Sequence, residues 1–233
     1  MNVIAMVAHI LDVLVCPVSE IPPEQGTVLV EQMRMTAAGT AAGTALTFAK
    51  LGAAVRTAGA IGTDPAGDLL LSLLGSAGID TSLVVRKTDV PTSMSVLPIR
   101  PSGERPSLHL LGANLAYTLD DVDWDAVAAA DHIHLGGTEM LGPDFATRIL
   151  RHAKENGATT SVDLIAPVGK CRRLLDTGAG MLAVTCGADG ALVVSMEGTQ
   201  QVPAFAVDAV DTTGCGDAFS AGSLPPRVRR RIG

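Results

Sequence analysis

Residues 41–78, AAGTALTFAKLGAAVRTAGAIGTDPAGDLLLSLLGSAG, decide the fold. Ala41–Leu51 carries apolar residues at helical spacing and stops at Gly52. Val55–Gly62 (VRTAGAIG) is a short apolar run of strand type, and Ala66–Gly78 is helical again with a glycine stop. Upstream, Asn2–Ala8 (NVIAMVA) reads as a buried strand. Downstream, His132–Gly136, Thr159–Leu164 and Met181–Cys186 are three more short apolar runs, with the helical stretch Phe145–Gly157 between the first two. This alternation predicts an α/β, Rossmann-like fold: a mostly parallel sheet with helices on both faces.

Two regions break the rhythm. Thr27–Met35 alternates apolar and polar residues as a half-exposed strand does. Thr92–Arg100 and Ser107–Leu111 are extended runs joined by Pro101–Arg105 (PSGER), a turn composition that predicts a hairpin. Together they predict a small antiparallel β lid within residues 14–35 and 92–111.

Hydrophobic residues make up 47% of the 233 positions and aromatic ones 3%, so Ala, Val, Leu and Ile are expected to fill the core. The formal net charge is −7, and four of the 17 basic residues sit together at Arg227, Arg229, Arg230 and Arg231. The remaining body is acidic enough to exclude a nucleic-acid surface. Cys16, Cys171, Cys186 and Cys215 form no C-x-x-C pair and no zinc spacing, as expected of reduced thiols in a cytoplasmic protein. The apolar opening run Val3–Val18 contains His9 and Asp12 and is too short to span a bilayer, so no membrane association is expected.

The stretch richest in chemistry is Asp211–Ala221, DTTGCGDAFSA. Gly214 and Gly216 precede an apolar segment that can start a helix, and free N–H groups at a helix N-terminus hold anions. A carboxylate beside such an N–H cradle suffices for phosphoryl transfer, because that reaction needs positioning and charge stabilisation more than covalent chemistry. Standing alone, the stretch would also fit a Gly-rich turn with Asp capping a helix. Gly178–Ala183 (GAGMLA) fits the dinucleotide pattern but runs straight into a strand, which removes the helix that pattern requires. His132 and His134 fall on one face of their strand without a third metal ligand, and read as ordinary histidines facing the site or solvent.

The Asp211–Ala221 string resembles the C-terminal signature D-T-x-G-x-G-D of the ribokinase (PfkB) family of carbohydrate kinases, and Ala38–Gly52 (AGTAAGTALTFAKLG) resembles that family's N-terminal signature. The resemblance implies a kinase domain over residues 1–222, ATP and Mg2+ as cofactors, and a sugar or similar alcohol as acceptor, with a nucleoside as the alternative. It makes Asp217 the catalytic base and Gly214, Cys215 and Gly216 the anion hole. It puts Asp12, Gly39, Thr40, Gly43 and Asn114 at the acceptor, with Gly43 standing where many members have Asn. Thr185–Gly190 (TCGADG) resembles the T-x-G-x-x-G nucleotide loop, which implies Thr185, Gly187, Asp189 and Gly190 at ATP. Asp163 matches an acidic position near metal and phosphates.

Two departures stand against this match. No N-x-x-E motif occurs anywhere in the chain, and the connection from Asp163 to Met181 is too short for the strand and helix that carry it in the family. Residues 223–233, SLPPRVRRRIG, read as an aberrant basic tail in which Pro225 and Pro226 stop the helix. Both predict a weakened donor site, up to a remnant that binds without catalysis. An apolar face left uncovered also predicts self-association, as a homo-oligomer or an aggregate.

Overall fold

The computed structural model describes residues 1–163, 175, 179–208 and 212–223. Most of the short connection after Asp163, Asp211 and the tail from residue 224 on, all singled out above, lie outside the described residues. Residues 1–164 with 217–233 form one compact unit, and residues 165–216 a second.

In chain order the first unit runs β1 (Asn2–Val7), β2 (Ile10–Cys16), β3 (Gln32–Ala38), α1 (Thr40–Lys50), β4 (Ala54–Gly62), α2 (Pro65–Ser76) and β5 (Asp80–Lys87). It continues through β6 (Met94–Pro98), β7 (Leu108–Leu110), α3 (Trp124–Ala128), β8 (His132–Gly136), α4 (Pro143–Glu155) and β9 (Thr159–Asp163). The main sheet has the order β5-β4-β1-β8-β9, with every pairing parallel. The edge strand β5 escaped the sequence reading because its residues are only partly buried and do not form an apolar run.

β1 lies at the centre and divides the core. Val3 and Ala5 face the side of α1 and α2, where they pack with Phe48, Leu70 and Leu74. Ile4 and Met6 face the other side, against Ile133, Phe145 and Ile149. That period of two is why a strand covered on both faces reads as a continuous apolar run. Burying an Ile, Leu or Phe side chain contributes roughly 1.5–3 kcal/mol, so these two layers carry most of the stability.

The lid is a second sheet, ordered β3-β2-β6-β7. Two of its pairings are antiparallel as expected, but β2 and β6 run parallel. The first lid strand begins earlier than residue 14, at Ile10, and the second spans Gln32–Ala38 rather than Thr27–Met35. The PSGER turn closes as expected, with Arg100 N–H on the Glu104 carbonyl at 2.9 Å and Gly103 N–H on the Arg100 carbonyl at 2.8 Å.

The second unit holds the antiparallel sheet β10 (Met181–Thr185), β11 (Ala191–Ser195) and β12 (Gly198–Val202). Met181–Cys186 was expected in the parallel sheet. Among the described residues β10 pairs with β11 instead, because the Cys186–Gly190 link folds the chain straight back through the 2.8 Å bond from Cys186 N–H to the Gly190 carbonyl. The last described helix, α5 (Cys215–Gly222), buries Ala221 in the same apolar layer as Val3 and Phe48.

Candidate active site

In open α/β sheets ligands sit beyond the carboxyl ends of the strands, where the winding reverses. Here β4 lies on one side of β1 and β8 and β9 on the other, so that point is the end of β1. Val7, the last residue of β1, has φ 97°, a sterically costly value for a β-branched side chain. The chain then turns through Ala8 and His9 into β2. The Ala8 carbonyl receives the N–H groups of Ala41 and Ala42, both at 3.2 Å, and so caps α1 where Gly39 offers no side chain. Gly39 itself has φ 92°, and a Cβ there would stand 2.6 Å from the Ala8 oxygen. Gly136, at the end of β8, is equally constrained: its Cβ would meet the Thr40 backbone at 2.5 Å. Sequence reasoning missed Gly136, although a glycine closing the HIHLG strand was its available signal.

Asp217 sits in the first turn of α5. A Cβ on Gly43 would fall 2.5 Å from Asp217 Cγ, so α1 and α5 meet at this pair. Ser220, three residues on and on the same helix face, donates its hydroxyl to Asp163 Oδ2 at 3.0 Å. The pKa of Asp217 is pushed up to about 7, first by burial and then by the negative charges of Asp163 and Asp12. Asp163, at the end of β9, is also raised by burial, with the Ser220 hydrogen bond opposing. The negative charges of Asp12 on β2 and Asp163 on β9 thus both act on Asp217 of α5. Among the described residues, no group of three or more His, Cys, Asp or Glu has the geometry to hold a metal ion.

Asp12 belongs to a polar row crossing the lid. It pairs with Thr36 on β3 and Ser95 on β6, and Ser95 pairs with His109 on β7, so all four residues share one sheet face. Burial raises the Asp12 pKa, against the Ser95 hydrogen bond and the charge of His109.

Asn114 is 1% exposed. Its Oδ1 accepts the His9 N–H at 3.0 Å, while its Nδ2 is buried without a protein partner. His9 is fully buried, and burial pushes it down to about 4 against a bond to the Val7 carbonyl. Its ring bonds that carbonyl through Nδ1 at 3.0 Å and the Thr57 hydroxyl through Nε2 at 2.6 Å, and the same hydroxyl lies 3.0 Å from the Ala5 carbonyl. Thr40 Oγ1 is likewise buried and unpartnered. Asp12, Gly39, Thr40, Gly43, Asn114 and Asp217 therefore surround the single corner between β1 and β2.

Gly214 has φ 73° and leads directly into α5, whose first-turn N–H groups have no intrahelical acceptor. Within the second unit, Thr185 ends β10 and Gly187–Asp189 forms one 3₁₀ turn. Gly190 has φ 89°, and any Cβ there would overlap the Val202 carbonyl oxygen. His132 and His134 do share a face, but it is neither solvent nor site. Both are buried beneath α1, edge-on to Phe48, and share the Ser161 hydroxyl at 2.8 and 2.9 Å. They lie in register with Val3 and Ala5, and that layer is closed by Phe48.

The family described as pfkB family carbohydrate kinase matches the chain over residues 1–177 and 168–229. An ATP-dependent ribose-1-phosphate kinase from Halopiger xanaduensis is 32% identical, over 89% of this chain and 78% of its own length. A nucleoside kinase from Methanothermobacter thermautotrophicus is 25% identical, over 90% of this chain and 77% of its own. Among solved structures, Arabidopsis thaliana ribokinase complexed with ribose and ATP superposes with a TM-score of 0.77 at 21% identity, covering 99% of this chain and 85% of that one.

Proposed function

Because the chain belongs to the pfkB family of carbohydrate kinases, we propose that it transfers the γ-phosphoryl group of ATP to a hydroxyl of a sugar or related polyol, with Asp217 as general base. The observation that carries this is the convergence of Asp217, Gly43, Asp163 and Asp12 at the end of β1. A carboxyl with a pKa of about 7 is poised to take the acceptor proton near neutral pH. Asp12 accepts other hydroxyls of the acceptor, and the buried Asn114 Nδ2 and Thr40 Oγ1 are the polar atoms left over to meet it. The N–H groups of Gly214, Cys215 and Gly216 stabilise charge on the transferring group. Residues 1–222 act as the catalytic domain, with β2, β3, β6 and β7 as its lid.

ATP is assigned to Thr185, Gly187, Asp189 and Gly190, where positive φ values leave the turn free of side-chain bulk. Mg2+ fits this donor set as an ion held by one or two carboxylates and by phosphate oxygens, Asp163 being the protein ligand. When bound it neutralises charge on the phosphates. The lid face opposite Asp12 exposes Met33, Met35, Val96, Leu108 and Leu110, and a second copy of the chain is its proposed cover. Sedimentation at micromolar concentration tests that cover.

ADP release with ATP and a panel of ribose, ribose 1-phosphate, fructose and nucleosides tests the main reading; turnover of a sugar, abolished in Asp217→Asn, is expected. The missing N-x-x-E motif favours a second reading, a chain that binds acceptor without turnover. Acceptor binding by calorimetry with no ADP release on the whole panel would establish it.

A further inference from the structure

Ser95 is 6% exposed, stands opposite Asp12 in the β2–β6 pairing, and its hydroxyl lies 3.0 Å from Nδ1 of His109. A hydroxyl has one proton. The carboxylate can only accept, so a Ser95 hydroxyl turned toward Asp12 donates to it and accepts from His109 Nδ1–H. That turn gives the order of donation His109 to Ser95 to Asp12. Each bond polarises the next, and the chain ends on the one lid carboxylate that reaches the Asp217 neighbourhood. Register supports the arrangement independently, since Asp12, Ser95 and His109 are successive cross-strand partners on β2, β6 and β7.

We propose that His109, acting through Ser95, is a positioning residue that fixes the Asp12 carboxylate for recognition of adjacent hydroxyls on a polyol acceptor. This rests on the kinase reading above. The edge strand β7 is only three residues long, so the relay also ties acceptor recognition to the docking of that strand on β6. Without His109 the Ser95 hydroxyl can rotate away, and Asp12 loses its fixed orientation. The acceptor then binds worse, while Asp217 and the donor are untouched.

The test compares wild type, His109→Ala, His109→Asn and Asp12→Ala in steady-state kinetics with ATP and the best sugar of the panel. His109→Ala is expected to raise the acceptor KM about tenfold, with kcat and the ATP KM unchanged. His109→Asn, whose amide N–H can donate to Ser95, is expected to recover most of the loss. If Asp12→Ala weakens acceptor use but His109→Ala behaves as wild type, the relay is wrong and the kinase reading stands. If wild type turns over nothing, the kinase reading fails, and the relay is decided without substrate by 13C titration of Asp12. The charge of Asp12 acts on Asp217, and His109 on β7 and Arg34 on β3 share its own sheet face. His109→Ala should raise the Asp12 midpoint; an unmoved midpoint overturns the relay.

Discussion

Gly43 of α1 occupies the space into which the Asp217 carboxylate turns: a Cβ at position 43 would lie 2.5 Å from Asp217 Cγ and overlap Oδ2. The obstacle is the far end of a side chain, so the fold can yield by rotating Asp217. A rotated Asp217 is a misplaced base, and a displacement of about 1 Å in a catalytic group costs on the order of 10²-fold in rate. Gly43→Ala is therefore expected to lower kcat by about 10²-fold. Its melting temperature should stay close to wild type, since Ala favours a helix by about 1 kcal/mol over Gly. Unchanged kcat in a folded Gly43→Ala would mean that Asp217 works from another rotamer.

That pair also marks what the sequence could tell. Gly39 and Gly214, both at positive φ, stand out in short glycine-bearing strings of the sequence, and Gly43 and Asp217 lie in the same strings. Their meeting was not legible, since Gly43 and Asp217 approach only after the sheet has brought α1 and α5 to the same strand end. The alternation of β1, β4 and β8 was visible because strands buried on both faces are apolar throughout. The half-exposed edge strand β5 was not, and neither was the parallel pairing of β2 with β6, which depends on the path between them. His132 and His134 were placed on one face correctly, but only Phe48 packed edge-on against both rings shows that this face is interior.

Asp64 is expected to be a structural anchor rather than part of the chemistry. Its Oδ1 caps α2 through Gly67 N–H at 2.9 Å and accepts the Thr92 hydroxyl at 2.6 Å, while Oδ2 takes the Thr92 N–H at 2.8 Å. Burial opposes ionisation, yet the bonds from Thr92 and Gly67 outweigh it and hold Asp64 below the usual carboxylate range. That stabilisation is present above the unfolded pKa and is lost as pH falls through the folded one. Asp64→Ala removes the cap and leaves Thr92 donors unmet, for a loss of roughly 2–4 kcal/mol. Urea unfolding at pH 7 measures it; a loss below about 1 kcal/mol would show that water replaces the carboxylate.

Asp217→Asn is expected to lower turnover by about 10²- to 10⁴-fold, the usual contribution of a general base. Acceptor and ATP binding should survive better than rate. The kcat/KM profile of the wild type should rise with pH through about 7, where Asp217 ionises. A flat profile from pH 5.5 to about 8.5 would place the essential base elsewhere.

The same substitution should change stability in the opposite sense, and the pH dependence separates the two effects. The folded pKa of Asp217, about 7, is above its ordinary value, so the folded chain binds a proton that the unfolded chain has released. Asp217 therefore costs stability as pH rises from about 4 to 7, by about 1.4 kcal/mol per pH unit at most. Asn mimics the protonated form, so Asp217→Asn should be more stable than wild type by up to roughly 4 kcal/mol at pH 8 and equal to it near pH 4. Three buried histidines act with the other sign. His9 and His132 are pushed down to about 4 and His134 to about 3, so unfolding takes up protons on each below the ordinary value near 6.5. Between pH 5 and about 6.5 three histidines losing stability on acidification outweigh one aspartate gaining it, and the wild type should weaken as pH falls. Removing Asp217 removes the compensating proton, so the Asn variant should weaken more steeply over that range. Urea midpoints of both proteins at pH 5, 6.5 and about 8 measure the slopes. Parallel slopes would show that Asp217 is solvated and ordinary in the folded chain.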